Sequence, residues 1–327
     1  MKSRIIYGPI LSRRLGRSLG IDVIRNPGAK KNCNFDCVYC QLGHVDTKIS
    51  SQGRIEGLVA PEEVVEGIRS YHKNIEDLDY ITFSGTCEPT LNPGLGEMIR
   101  RIRTISKHPV CVLTNSSRVS SEDVRLNLAE ADLVIATLVS GYEETFKAIN
   151  RPAAGIGLES IINGLKAIMC MNERPRLGIE VMLLDSSAGY PVNSTDGEIT
   201  RLIEVLKIID PDEIEILTVS RPPAEDFVIP VPEMRLKEIA RRFDEEFGRD
   251  RVKLVLKGLK RKRSSMKHIN VEEEVYDLVL RRPCTFKQIC ASIGIENEEL
   301  TPIIEELLSS NSIVCVESES GHYYRAV

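Results

Sequence analysis

Residues 33–43 read CNFDCVYCQLG and place Cys33, Cys37 and Cys40 within eight residues. A four-coordinate ion such as zinc needs one donor more than this C-x3-C-x2-C spacing provides, and His44, four residues past Cys40, is the nearest candidate to complete a Cys3His site. The other reading is a cubic four-iron four-sulfur cluster, in which three irons take thiolates and the fourth stays open to a small molecule.

Working outward, the triplet follows the β-branched run SLGIDVI (18–24), and similar runs recur as YITFSG (80–85), VCVLTN (110–115), ADLVIATLVS (131–140), RLGIEVMLL (176–184) and EIEILTVS (213–220). Amphipathic segments separate them: PEEVVEGIRSYH from Pro61, GLGEMIRRIRTI, LESIINGLKAIMCM with Leu158, Ile161, Ile162, Leu165 and Met169 along one face, and GEITRLIEVLKII. Strand and helix in alternation predict an α/β fold with a parallel sheet, open or rolled wholly or partly into a barrel, binding ligands at the carboxyl ends of its strands.

The pattern changes after the basic run KGLKRKRSSMKH (257–268). NVEEEVYDLVLRR, TFKQICASIG and NEELTPIIEELLSS read as helices, and SIVCVES and GHYYRAV as a hairpin turning near Gly321. Three helices and a ribbon follow the order of a winged helix-turn-helix. The expected domains are therefore residues 1–255, a basic linker at 256–269, and the winged module at 270–327.

At 327 residues and 42% hydrophobic content the chain can bury a large core. No apolar run reaches the roughly 20 residues that span a bilayer, and the start MKSRIIYGPILSRRLG does not resemble a signal peptide. A cytoplasmic protein without a membrane partner is expected, with its nine cysteines reduced or ligating metal. The net charge of −5 excludes a general nucleic-acid coat and leaves the basic run as the local phosphate-binding candidate, or as a solvated linker.

CNFDCVYC resembles the cysteine motif of the radical S-adenosylmethionine (SAM) superfamily, and FSGTCEPT resembles the Gly-Gly-Glu type motif that holds the methionine end of SAM. YGPILSRRLGRSLGIDV, EETFKAINRP and RPPAEDF extend the resemblance over Tyr7 to Glu225, toward short iron-sulfur oxidoreductase-like proteins related to wyosine tRNA-modifying enzymes. Two departures stand out: Cys87 replaces a glycine of that branch's Gly-Ser-Gly-Glu-Pro-Thr, and Thr137, Leu138, Val139 and Ser140 stand where Ser-Leu-Asp-Ala is usual.

The resemblance implies a partial (β/α)6 barrel of parallel strands. It implies one four-iron four-sulfur cluster on Cys33, Cys37 and Cys40, and SAM held by Tyr39, Gly85, Thr86, Glu88, Asn115, Ser116 and Ser140. It implies reductive cleavage of SAM to a 5'-deoxyadenosyl radical that takes hydrogen from a substrate, with a reductant such as ferredoxin or flavodoxin, in an oxidoreductase or a transferase. Cys87 is a candidate catalytic hydrogen-atom donor or a packing residue. Arg13, Arg14, Arg17 and Arg221 are candidate substrate ligands for phosphate or carboxylate, or surface ion-pair partners.

A macromolecular substrate is expected, RNA or tRNA before a protein or peptide. An iron-sulfur-sensing transcriptional regulator is the alternative of another class, and the absence of basic residues from NEELTPIIEELLSS speaks against it. Of the other cysteines, Cys111, Cys170 and Cys290 are expected in the core, and Cys284, Cys290 and Cys315 at interior positions of the module rather than on an auxiliary cluster.

Overall fold

The computed structural model describes residues 5–25, 31–49, 55–71, 78–256, 270–318 and 321–327. The basic run from Lys257 to His268 thus lies outside the described residues.

The expected strands form as β2 (Gly16–Ile21), β3 (Tyr80–Phe83), β4 (Val110–Thr114), β5 (Leu133–Thr137), β6 (Arg176–Leu183) and β8 (Glu213–Thr218), parallel neighbours in that order. Their side chains are buried on both faces, as helix-covered parallel strands require. Two strands complete the sheet at its edges. β1 (Ile6–Ser12) runs antiparallel to β2, and the short β10 (Val252–Leu254) runs parallel to β8. The periodicity did not mark β1 because Gly8 and Pro9 interrupt it, and an edge strand tolerates proline. β7 (Asp185–Ser186) and β9 (Val228–Ile229) form a separate two-residue pairing.

Helices α1 (Pro61–Arg69), α2 (Leu95–Ile105), α3 (Glu122–Ala129), α4 (Glu143–Asn150), α5 (Leu158–Met169), α6 (Asp196–Ile209) and α7 (Glu233–Phe247) connect the strands. α1 begins as its sequence directs: Pro61 takes the first turn, and Glu63 accepts a 3.0 Å hydrogen bond from the amide of Ala60. The buried stripe of α5 is Leu158, Ile161, Leu165 and Ile168, whereas Ile162 and Met169 are only half-buried. Gly164 explains the rotation, because a Cβ there would lie 2.5 Å from the Val119 backbone.

The chain ends in α8 (Val271–Arg281), α9 (Phe286–Ile293), α10 (Asn297–Ser309) and the hairpin of β11 (Ile313–Ser318) with β12 (Gly321–Ala326). This C-terminal module has its own core around Val275, Leu278, Ile289, Leu300 and Leu307. Ile10 of β1 packs onto that core, and α8 and α9 both lie against β1. The module therefore sits on the sheet edge beside the barrel mouth. No helix among the described residues is long and apolar enough to cross a membrane.

A candidate SAM and iron-sulfur site

The loop after β2 carries the three cysteines and is pinned from beneath. Phe35 is buried edge-on to Phe146, ring centroids 5.7 Å apart, and the amides of Asp36 and Val38 donate to the carbonyls of Asn150 and Ile149 at 3.1 and 2.9 Å. The next turns close as Cys40 donates to the Cys37 carbonyl and Gly43 to the Cys40 carbonyl, each at 3.1 Å.

The sulfurs face donors. Asn115 Nδ2 lies 3.3 Å from Cys33 Sγ, Asn150 Nδ2 3.2 Å from Cys37 Sγ, and the Phe35 amide 3.4 Å from Cys33 Sγ. Lys31 is buried among the three thiols; burial opposes its charge, but Cys40, Cys37 and Cys33 raise its pKa above the usual lysine value. Burial, against the opposing charge of Lys31 and with Cys37 and Glu88 adding to it, pushes the Cys33 thiol up to about 12. Three sulfurs ringed by N–H groups and an ammonium suit an anionic thiolate-bound cluster. Zinc fits less well, since His44 turns to carboxylates, with Nδ1 3.2 Å from Asp36 and Nε2 4.0 Å from Glu225. No three His, Cys, Asp or Glu side chains among the described residues converge on a single metal ion.

A cavity of about 870 Å³ opens from the thiol loop into the barrel. Tyr39, Gly85, Thr86, Cys87, Glu88 and Asn115 line it, together with the three cysteines. Their polar atoms are largely engaged with one another. Glu88 is buried: Oε1 accepts from the Thr90 amide and from the hydroxyls of Thr90 and Thr114 at 3.0, 2.7 and 2.7 Å, while Oε2 accepts from the Asn115 amide at 2.7 Å. Burial raises its pKa against those four donors. A carboxylate has about four lone-pair sites, two per oxygen, so Oε2 keeps one for a further donor such as an ammonium.

The residue beneath the second motif is Asp22, one position past β2. Its Oδ2 accepts from the amide and hydroxyl of Thr86, both at 2.9 Å, and the Cys87 thiol donates to Oδ1 at 3.2 Å. Gly85 is required here: its φ is 141°, and a Cβ would fall 2.4 Å from the Asp22 carboxyl carbon. Tyr39 is tied to the same shell, its hydroxyl accepting from Asn150 at 3.2 Å.

Several expected positions lie elsewhere. Ser116 is buried behind the cavity with its hydroxyl on the Thr137 carbonyl at 2.8 Å, and Ser140 donates to Glu198 at 2.6 Å; neither lines the cavity. Both are polar residues turned into the protein, where hydroxyls must find partners. Arg14 reaches the barrel interior but pairs there with Glu180 and, at 3.1 Å, with Glu215. Arg17 lies outside the cavity wall, whereas Arg13 and Arg221 are part of it.

Cys111 and Cys290 are buried as expected. Cys170 caps the exposed end of α5 and Cys315 lies on the outward face of β11, so both are exposed rather than interior.

Asp22, Lys31, Asn150, Arg281 and Arg282 complete the site without having been singled out from the sequence. Arg281 and Arg282 come from the C-terminal module, which also lends Thr285, Gln288 and Tyr323 to the cavity wall.

Comparison with known proteins agrees with this geometry. The profile of the Radical SAM superfamily matches residues 30–169. A UPF0026 protein of Methanocaldococcus jannaschii is 30% identical over 98% of this chain and 95% of its own length, and one of Synechocystis is 34% identical over 66% of this chain and 76% of its own. A protein named GTPase Obg from Brachyspira hyodysenteriae is 28% identical over 96% of this chain, which spans only 44% of that relative.

Among solved structures, TYW1 with a lysine-pyruvate adduct bound superposes with a TM-score of 0.52 at 20% identity, covering 70% of this chain and 73% of that one. Streptococcus suis SuiB bound to SAM superposes at 0.51 and 12%, covering 72% and 50%. These two likenesses establish the fold. The chain belongs to the UPF0026 proteins, within the radical SAM enzyme superfamily.

Proposed function

We propose that Cys33, Cys37 and Cys40 hold one four-iron four-sulfur cluster, and that SAM and a substrate share the cavity beneath the C-terminal module. The observation that carries this reading is the single cavity wall that joins the three thiols, the Glu88 motif and the module. When bound, the cluster and SAM supply the electron and the 5'-deoxyadenosyl radical, with a ferredoxin or flavodoxin as the external reductant.

The chain's own residues position and shield. Glu88 would hold the SAM ammonium, Asn115 and Asn150 donate to the cysteine sulfurs, and the module covers the barrel mouth against water. Cys87 lines the cavity, with its S–H turned to Asp22 Oδ1. The substrate class we infer is RNA, supported by the basic run from Lys257 to His268 and by the resemblance to wyosine tRNA-modifying enzymes. Peptide modification is the second reading, and the likeness to SuiB, also solved bound to its precursor peptide SuiA, favours it.

The test is anaerobic reconstitution with iron and sulfide, followed by dithionite and SAM. About four irons per chain and 5'-deoxyadenosine formed by the wild type but not by Cys37→Ala are expected. Stoichiometric zinc with no SAM cleavage would overturn the reading. RNA or peptide copurifying with the protein, and its release by salt, then separates the two substrate classes.

A further inference from the structure

Seven cationic side chains line the cavity wall, and three of them are answered by neighbouring charge. Arg14 pairs with Glu180 and Glu215, Arg281 with Asp22 and Asp277, and Lys31 with the cysteine sulfurs. Arg13, Arg221 and Arg282 have no such answer: no carboxylate among the described residues pairs with them.

Their contacts run to neutral groups and knit three parts of the chain together. Arg13, in the turn between β1 and β2, donates to Ser220 Oγ at 2.8 Å and to the Leu256 carbonyl at 3.4 Å. Arg221, just past β8, donates to the Pro283 carbonyl at 3.0 Å and to Gln41 Oε1 at 3.2 Å. Arg282, at the end of α8, has a buried Nε without any hydrogen-bond partner. Tyr323 ties the module to the same segment, its hydroxyl donating to the Ser220 carbonyl at 3.1 Å.

The three guanidinium groups act on one another. Burial lowers the pKa of Arg13, aided by Arg14 and Arg282, and burial together with Arg282 and Arg13 pushes Arg221 down to about 9. A guanidinium keeps its proton under such pressure. What the cluster lacks is negative charge, and planar guanidinium forks match the paired oxygens of phosphate or carboxylate.

We propose that Arg13, Arg221 and Arg282 bind an oxyanionic group of the substrate, phosphate or carboxylate, at the seam between the barrel and the C-terminal module. The site rests on the reading that substrate enters this cavity, and it deepens that reading by naming the group that is gripped. Gln41 adjoins Cys40, so the gripped anion lies beside the thiol loop. The site is complete only with the module seated, because Arg282 and the Pro283 carbonyl that orients Arg221 both belong to it.

The test is calorimetric titration of the anaerobically reconstituted holoenzyme with inorganic phosphate and, separately, with malonate. Saturable binding of at least one probe is expected, weakened about tenfold to a hundredfold in Arg282→Gln. Arg282→Lys should retain part of the affinity. Arg249→Gln should bind as the wild type does, because its side chain is 89% exposed, faces Asp244 and is not part of the cavity wall. The tighter probe tells a phosphoryl from a carboxylate ligand.

Arg13→Gln serves as the second variant should Arg282→Gln fail to fold. Absence of saturable binding, or equal binding by the wild type and a folded variant, would overturn the site. SAM cleavage is followed on the same samples: cleavage without anion binding defeats this inference alone, and anion binding without cleavage defeats the reading of the thiol centre alone.

Discussion

Arg281 of the C-terminal module stands with its Nε 3.4 Å from Asp22 Oδ2 in the barrel, and the two side chains are 2% and 5% exposed. The guanidinium also lies 4.3 Å above the Tyr7 ring, and its Nη1 donates to Asp277 at 3.0 Å. Since Asp22 also takes both donors of Thr86, one carboxylate fixes the turn at residues 85–88 and the seat of the module. Asp22→Ala leaves a buried guanidinium short of its partner and should cost about 3–5 kcal/mol of stability. Urea unfolding measures it, and a double mutant with Arg281→Met should lose less than the two single losses combined.

Gly85 admits no side chain. With φ at 141° and Asp22 packed against it, Gly85→Ala should cost about 2 kcal/mol or more. The damage should be local: SAM binding, followed by equilibrium dialysis, should fall more than the iron content of the reconstituted protein. Equal loss of both would show that the strain spreads to the thiol loop.

Asn150 donates to Cys37 Sγ, and a hydrogen bond to a ligating sulfur favours the more negative, reduced state of a cluster. Asn150→Leu should therefore move the midpoint potential to a more negative value by about 40–60 mV, which for a one-electron couple is about 1 to 1.4 kcal/mol, the size of an ordinary hydrogen bond. A redox titration followed by electron paramagnetic resonance gives the sign directly. A positive shift would contradict the assignment.

Cys87 is held as a thiol. Burial raises its pKa well above the ordinary cysteine value, and the Asp22 carboxylate adds to the effect. A raised pKa keeps the proton on sulfur through neutral and mildly alkaline pH, and alkylation requires the thiolate. Iodoacetamide at pH 8 should label the exposed Cys170 and Cys315 within minutes and leave Cys87 unlabelled in the folded protein, as peptide mass spectrometry reads out. In Asp22→Asn the lost negative charge should speed Cys87 labelling.

The six parallel strands and the C-terminal order of helices and hairpin were legible because period and composition are local properties. β1 was hidden because its pairing, not its pattern, makes it a strand. The thiol triplet was legible for the same reason, three cysteines lying on one short loop. Asp22 and Asn150 were not, because an aspartate ending a strand and an asparagine ending a helix read as surface caps until the fold buries them. Ser116 and Ser140 failed in the opposite direction, as hydroxyls suited to a ligand that the fold assigns to Thr137 and Glu198. Arg282 gave no signal, since its role depends on Arg13 and Arg221, which only folding brings alongside.

The two-part wall of the cavity also sets an order of birth. A ribosome releases the thiol loop early and α8 to β12 last, and domains fold as units in that order. Until α8 and α9 dock on β1, the cavity that the three thiols line lacks one of its walls. Docking of α8 then brings Arg281 to Asp22, so the segment that walls the cavity emerges after the loop that floors it.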